Sequence, residues 1–508
     1  MRRLNRSLQG LSLRKTMLVA FLIGAVMALG QAPWGLWPLT LIGFVLVTIL
    51  LEGAASTRKA SFTGWAVGCG YFAVTLSWIV EPFLVDIARH GWMAPFALFL
   101  MAGGLALFWG AAFGFARWMG QGRYAGLALV VTLPFAELAR AYVFTGFPWG
   151  MPAYIWVGLA PMQLVALIGS HGVNVLTLMM TAGVWSLSGM HRPTAIMLGI
   201  VSWGLSPLFV LFTSSQTPVL DAEQPLLRLL QPNAPQHLKW DPDWIPVFFD
   251  RNLEFTADPG RHGRPDLIIW PETSVPSRLS ADDYAITLIR DAANGVPVVF
   301  GIGHERGDGY FNSMAVMDDV GALTQTYDKM HLVPFGEYVP FSDLMARFGI
   351  YGLAATQGYG FTPGEGAQLL DLGSLGKAMP LICYEAVFPQ DLNAAPDGAD
   401  WILQITNDAW FGTISGPWQH LAQARFRAVE QGKPLVRVAN TGVTALISAR
   451  GDIRAQLPFG TEGYLDVRLP PAGGETLYRR TGDWPVLLIL LFFCGVLTLS
   501  RDRSGNRS

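Results

Sequence analysis

The sequence predicts a polytopic α-helical membrane domain of about eight transmembrane helices, joined to an extramembrane domain of layered α/β type. Three observations carry that reading. Hydrophobic residues make up 51% of the 508-residue chain and charged residues only 14%, against about 25% in ordinary soluble domains. Apolar runs long enough to cross a hydrocarbon layer follow one another up to about residue 213. From about 220 to 475 the pattern changes to short β-type runs broken by Gly, Pro, Asn and Asp, with helix-length segments between them.

Taken in order, the first apolar run, 17–30, follows Arg2, Arg3, Arg6, Arg14 and Lys15. Together these have the form of a signal peptide, with Ala28-Leu29-Gly30 shaped like a cleavage site. Because more spans follow at once, the run is expected to stay as an uncleaved first helix. Further runs lie near 34–51, 62–80, 92–116, 124–142, 160–188 and 195–213. Basic residues fall in alternate connections: the N-terminal segment, then Arg58 and Lys59, Arg117 and Arg123, and Arg192. That is the positive-inside pattern, which puts the N-terminus in the cytoplasm and the segment after residue 214 on the outer face. An eighth run, 484–499, precedes Arg501, Arg503 and Arg507 and returns the C-terminus to the cytoplasm. The expected units are therefore a seven-helix membrane domain at 1–214, an outer domain at 220–475, a last span at 484–500 and a tail at 501–508.

Within the outer domain, strands are expected at 226–230, 267–270, 298–302, 379–383, 401–405, 435–438 and 443–447, and helices at 281–293 and 419–431. A net charge of −2 gives no sign of nucleic-acid binding. The three cysteines, Cys69, Cys383 and Cys494, have spacings that make neither a disulfide framework nor a zinc site. No cofactor motif stands out.

Three segments combine acid, base and nucleophile types with turn residues. In Ile269-Trp270-Pro271-Glu272 a strand stops at the proline and presents Glu272 on the following loop; a helix cap or solvated loop carboxylate is the plainer reading of that feature alone. The segment 327–340 sets Lys329 and Glu337 among apolar and rigid residues, where each charge needs a partner, as in a structural ion pair. His331 in the same stretch reads as a packed histidine, because no second His stands at metal-binding spacing. The third segment ends an apolar strand on Cys383, where an isolated thiol would ordinarily be inert. A carboxylate to remove its proton and an ammonium to stabilise the anion would make that thiol a nucleophile.

The order and wording of these segments resemble the carbon-nitrogen hydrolase (nitrilase) superfamily over roughly 225–470. Lys-Met-His-Leu-Val-Pro-Phe-Gly-Glu-Tyr-Val-Pro at 329–340 and Ile-Cys-Tyr-Glu at 382–385, joined to many N-terminal spans, resemble the apolipoprotein N-acyltransferase family of Gram-negative bacteria. Also similar are Gln231-Pro232-Asn233, Leu238-Lys239-Trp240-Asp241-Pro242, Thr-Asn-Asp-Ala-Trp-Phe at 406–411 and the run from Gln419 to Glu430. Asn440-Thr441-Gly442 departs from an expected Asn-Asn-Gly. The resemblance implies an α-β-β-α sandwich, a catalytic triad of Glu272, Lys329 and Cys383, and a supporting Glu337. It further implies Trp240, Tyr384, Glu385, Trp410 and Phe411 as substrate-binding residues. No cofactor is implied. The partners would be a phospholipid acyl donor and a diacylglyceryl lipoprotein acceptor, handled by a monomer in the bacterial inner membrane with its catalytic domain in the periplasm.

An apolar, Gly-rich arm at 341–362 is expected either to dip into lipid or to be an ordinary packed insertion. Asn407 and Asp408 are expected to hold their loop. Arg425, Arg427 and Glu430 cannot all share one helix face. In the fifth run, Glu137 and Arg140 are expected to form an ion pair supporting the segment from Phe144 to Trp149. The rival functions are a membrane-tethered amidase or nitrilase using the same triad with water as acceptor, and a catalytically inactive membrane scaffold.

Overall fold

The computed structural model describes residues 12–200, 204, 223–261, 263–340 and 360–505. Its N-terminal part is a set of apolar helices: α1 (Leu13–Met27), α2 (Trp37–Glu52), α3 (Thr57–Thr75), α4 (Ala94–Met119), α5 (Arg123–Tyr142) and α6 (Val165–Leu178). Among the described residues, Leu13–Gly30, Ile87–Met119, Arg123–Tyr142 and Ala160–Ser188 are long and apolar enough to cross a bilayer, and Thr57–Thr75 with Ser77–Leu84 forms a further pair bent by 64°. The expected runs at 34–51 and 484–499 are present as the shorter apolar helices Trp37–Glu52 and Trp484–Leu499. The expected 160–188 span is interrupted at Gly169, whose backbone (φ 65°, ψ 176°) is not helical. The run at 195–213 lies largely outside the described residues.

Small residues let these helices meet closely. A Cβ at Gly24 of α1 would stand 2.0 Å from Val67 O of α3, and one at Gly70 of α3 would stand 2.0 Å from Phe21 O. Backbone against backbone is how apolar helices gain van der Waals contact where no hydrophobic drive separates protein from lipid.

The outer part holds two six-stranded sheets. One runs in the order β12 (Gly463–Arg468), β1 (Leu226–Gln231), β2 (Leu267–Ile269), β3 (Val298–Arg306), β4 (Gly309–Met317), β5 (Leu323–Asp328). The other runs β11 (Ile453–Leu457), β10 (Thr444–Ile447), β9 (Leu435–Ala439), β8 (Trp401–Thr406), β7 (Lys377–Ile382), β6 (Leu370–Asp371). Their centres are parallel, β1-β2-β3 and β7-β8-β9, and their edges antiparallel. Side chains alternate between faces, as a strand's period of two requires. Leu227, Leu229, Leu267, Ile269 and Val299 of the first sheet pack in one core with Ile382, Leu403, Ile405 and Val436 of the second. The intervening Ile268, Val298 and Phe300 face outward against α7 (Ile245–Ala257) and α8 (Tyr284–Ala293). Met379, Leu381 and Ile402 face outward against α9 (Gly416–Gln431). The result is the α-β-β-α sandwich. All seven expected strands are present, except that the one placed at 379–383 ends at Ile382, leaving Cys383 in a 3-10 turn.

Helix α9 joins the two parts. Although rich in polar groups, it is buried at every position except the half-buried Trp418 and Arg425. Its charged groups are matched. Arg427 Nε meets Glu430 Oε2 at 2.7 Å, Ser170 Oγ of α6 donates to Glu430 Oε1 at 2.5 Å, and Arg425 Nε donates to Gly451 O at 2.6 Å. So Arg427 and Glu430 form a buried ion pair, while Arg425 on another face holds a carbonyl.

The Glu137–Arg140 pair of α5 also forms, at 2.6 Å between Oε2 and Nη2, with both side chains buried. Trp109 Nε1 donates to Glu137 Oε1 at 2.7 Å. Arg140 Nη1 donates to Trp149 O at 2.9 Å and also to Phe147 O. The pair thus braces the segment from Phe144 to Trp149. Replacing Arg140 by Met leaves Glu137 buried without its partner, and the expected cost is about 3–5 kcal/mol. A thermal-unfolding comparison in detergent should show R140M well below the wild type; equal melting temperatures would remove the bracing role.

Candidate active site

The chain brings Glu272, Lys329 and Cys383 together from three strand ends. Glu272 follows β2, and Lys329 comes directly after β5. Cys383 follows β7, in the first turn of the 3-10 helix Cys383–Val387. Its φ of +51° is left-handed, a region a residue with a Cβ holds only where its surroundings insist.

Lys329 is 1% exposed, and a buried ammonium needs compensation. Glu337 Oε1 supplies it at 2.9 Å and Glu272 Oε1 at 3.7 Å. Burial works against the charge, but the two carboxylates, Glu337 the stronger, together with Cys383, outweigh it and hold the ammonium's pKa above its ordinary value. Asn312 of β4 ties both acids together, donating from Nδ2 to Glu272 Oε1 at 2.8 Å and to Glu337 Oε1 at 3.1 Å. The backbone N–H of Asn407 holds Glu272 Oε2 at 2.8 Å, and that of Val333 holds Glu337 Oε2 at 2.8 Å. Burial, then the Glu272 carboxylate, push the Cys383 thiol well above its usual value, with Lys329 pulling the other way. Burial and Glu272 both favour Cys383 as a thiol.

The remaining sequence-expected residues divide. Trp240 is half exposed and lines a small concavity whose wall also includes Lys239, Ile245, Phe249 and Glu272. Trp410 is half-buried at the edge of the main core. Tyr384, expected at an entrance, is instead packed inside, its ring against Phe388, His331 and Phe147. Phe411 is buried between Trp78 and Trp149. Glu385, expected to touch substrate, is fully buried and saturated. It accepts from Ile382 N at 2.6 Å, Tyr327 Oη at 2.7 Å and Met330 N at 2.8 Å. That carboxylate ties the nucleophile's turn to the loop carrying Lys329; the pattern of the sequence shows its position beside Cys383 but not which way it points. His331 is a packed histidine, bonded to Asp391 at 2.8 Å and stacked on Phe388. Of the arm at 341–362, residues 341–359 lie outside the described residues.

Two participants were not singled out by sequence reasoning. Asn312 sits mid-strand with no motif around it. Lys239 stood inside a quoted segment beside Trp240, yet a lysine there reads as solvated. It is buried, and Nζ donates to Glu272 O at 3.1 Å and Thr273 Oγ1 at 2.8 Å. This clamp spans the turn at Thr273, itself left-handed with φ +45°.

With this geometry in place, the comparisons with known proteins fall in line. Residues 23–183 match the apolipoprotein N-acyltransferase N-terminal domain and residues 241–478 the carbon-nitrogen hydrolase family. An apolipoprotein N-acyltransferase from Rhizobium leguminosarum bv. trifolii is 35% identical over 94% of this chain and 95% of its own length. One from Brucella suis is 36% identical over 96% of each. The chain belongs to the apolipoprotein N-acyltransferase family. Among solved structures, a carbon-nitrogen hydrolase superfamily protein from Xanthomonas campestris aligns with 52% of this chain and 97% of its own, at 20% identity and a TM-score of 0.37, too distant to bear on the argument. Membership of this family and the apolar helices make the chain a membrane protein.

Burial lowers the Lys239 ammonium to about 8, against the pull of Glu272 and Cys383. The unfolded chain keeps its lysine protonated up to the ordinary value near 10.5. Between these two pH values the unfolded state binds the extra proton, so Lys239's contribution to stability rises with pH through that window and is lost as pH falls through about 8. In K239M, which cannot titrate, melting temperature followed from pH 7.5 to 10.5 should lack this rise. Parallel wild-type and variant curves would contradict the assignment.

Proposed function

We propose that this protein transfers a fatty acyl chain from a membrane phospholipid to Cys383, and from that thioester to the N-terminal α-amine of a diacylglyceryl-cysteine apolipoprotein. Family membership supports the reaction class, since the relatives share the name apolipoprotein N-acyltransferase. The observation that carries the mechanism is the buried Lys329 ammonium held between Glu272 and Glu337 beside a thiol in strained backbone geometry.

In the first half-reaction Glu272 accepts the Sγ proton as sulfur attacks the ester carbonyl. The Lys329 ammonium and the backbone N–H of Tyr384 stabilise the tetrahedral oxyanion. Collapse breaks the ester C–O bond, and Glu272 returns its proton to the departing lysophospholipid oxygen. The incoming amine then attacks the thioester and loses a proton to Glu272; the C–S bond breaks, and Cys383 regains a proton from Glu272. Glu337 keeps Lys329 in place and balances its charge while Glu272 cycles between acid and base. Trp240, at the half-exposed mouth beside Glu272, guides the acyl chain.

Both substrates are anchored in lipid, so a site held at the bilayer surface replaces a search in three dimensions by positioning at a fixed depth. The topology we propose has seven spans before residue 214 and an eighth at 484–500. The domain at 220–475 faces the periplasm from the inner membrane, both termini are cytoplasmic, and the enzyme works as a monomer. The alternation of basic connections supports this orientation.

Purified protein incubated with phospholipid alone should carry a fatty acyl mass on the Cys383 peptide, and C383S should carry none. Adding a diacylated lipopeptide should discharge it to triacylated peptide; release of free fatty acid in its place would establish the amidase-like reading. In the same assay K329M should slow acyl-enzyme formation by about 10²–10³-fold, the usual cost of one oxyanion donor, and E337Q by less. An unimpaired K329M would refute its role.

A further inference from the structure

A second polar network lies behind the nucleophile, and the chemistry above does not use it. The Cys383 carbonyl oxygen is 3.0 Å from His420 Nε2 and 3.3 Å from Gln404 Nε2. On the ring's other side Nδ1 faces Asp408 Oδ1 at 2.8 Å. The Cys383 carbonyl and the Asp408 carboxylate only accept, so holding both calls for a proton on each ring nitrogen of His420. Gln404 Nε2, which also lies 3.2 Å from His420 Nε2, is a donor to the Cys383 carbonyl whichever proton the ring carries. Asp408 is held in turn by the Thr406 hydroxyl at 3.0 Å and by Arg437, whose Nη1 also donates to Gln404 Oε1 at 2.7 Å. Each of these side chains is fully buried. Asp408 thus does more than shape its own loop.

The carbonyl of Cys383 and the N–H of Tyr384 are two ends of one planar peptide unit. Fixing the oxygen fixes the direction of the N–H, and hydrogen bonds accepted at C=O polarise the unit and strengthen its donor. That N–H lies in the first turn of the 3-10 helix, where helical N–H groups have no acceptor within the helix. The unit follows a left-handed residue, so it needs such an anchor.

His420 is itself held from the membrane side. Its neighbour Gln419 accepts a hydrogen bond from Trp149 Nε1 at 2.6 Å and donates to Thr75 O at 3.0 Å. The Trp149 ring stacks on the His420 ring, with centroids 5.7 Å apart. Trp149 belongs to the segment braced by Arg140.

We propose that His420, with Gln404, is a positioning residue for the acyl-transfer step: it aims the Tyr384 N–H by holding the other end of the same peptide unit, and the membrane domain keeps His420 in place through Trp149. The helical part is then a component of the active site's geometry as well as its anchor. This rests on the proposed role of Cys383 as the acylated nucleophile.

The test compares two reactions of the same thiol in full-length enzyme. Alkylation by iodoacetamide needs a thiolate but develops no oxyanion; acylation by phospholipid needs both. In H420A the rate of Cys383 acylation should fall by about 10²-fold, while the alkylation rate and its pH profile stay as in the wild type. H420Q, whose side-chain amide still offers an N–H, should regain part of the loss. W149F, which removes the indole N–H to Gln419 and part of the ring stacked on His420, should show a smaller fall of about tenfold with alkylation again unchanged. If acylation and alkylation fall together in H420A and H420Q along with the melting temperature, the network is merely structural and the proposal is wrong. Wild-type acylation in W149F would overturn the membrane link. Failure of the parent reading looks different, because the wild-type enzyme would then form no acyl-Cys383 at all.

Discussion

Everything around the site answers to one buried charge. An ammonium in a dry interior is tolerated only with partners at contact distance, and Lys329 has Glu337 at 2.9 Å and Glu272 at 3.7 Å. Those two acids come from separate places in the chain: Glu272 directly follows β2, and Glu337 sits in the turn beyond β5, where the Val333 N–H holds it. Asn312, from the strand between, spaces them. The distances are unequal, so the nearer carboxylate, Glu337, is the one bonded directly to the ammonium.

The nucleophile's strained turn depends on a different kind of support. Glu385 gathers the N–H groups of Ile382 and Met330 and the Tyr327 hydroxyl on one carboxylate, tying the Cys383 turn to the Lys329 loop. Lys239 does the same for the Glu272 turn from the other side. Left-handed backbone at Thr273 and Cys383 is thus held by the buried Lys239 and Glu385 side chains, each making several hydrogen bonds. Strain of this sort persists because the surrounding contacts over-determine it.

The contact between the helical and sheet parts combines apolar packing, as of Phe426 on Tyr154, with buried polar groups. A lipid-facing surface would favour apolar docking, yet α9 presents Gln419, Arg427 and Glu430 to the membrane helices, each matched at hydrogen-bond distance. Unmatched, such groups would cost more than they contribute. The pairing therefore specifies one orientation of the sandwich on the helices, and the adjacent His420 carries that orientation to the Cys383 peptide.

Much of this was legible in the sequence by itself. The apolar runs, the change of pattern near 220, seven of the strands and the three chemistry-bearing segments are all local signals, because hydrophobic period and turn residues act over a few positions. Five strands escaped notice. Of these, β5, β6, β11 and β12 stand at the sheet edges and are short, polar or half-exposed. The fifth, β4 next to β5, opens on Gly309-Tyr310-Phe311-Asn312-Ser313, whose polar residues break its apolar pattern. Tertiary structure alone decided which way side chains point and which distant groups meet. Glu385 and Tyr384, adjacent to Cys383 in sequence, are packed inward, where Glu385 braces its turn. Asn312, Lys239 and His420 acquired their contacts only when separate strands and a helix closed around them. Sequence determines which residues are present and which stretches can be buried; three-dimensional packing determines which charges share an interior, since that depends on contacts between residues far apart in the chain.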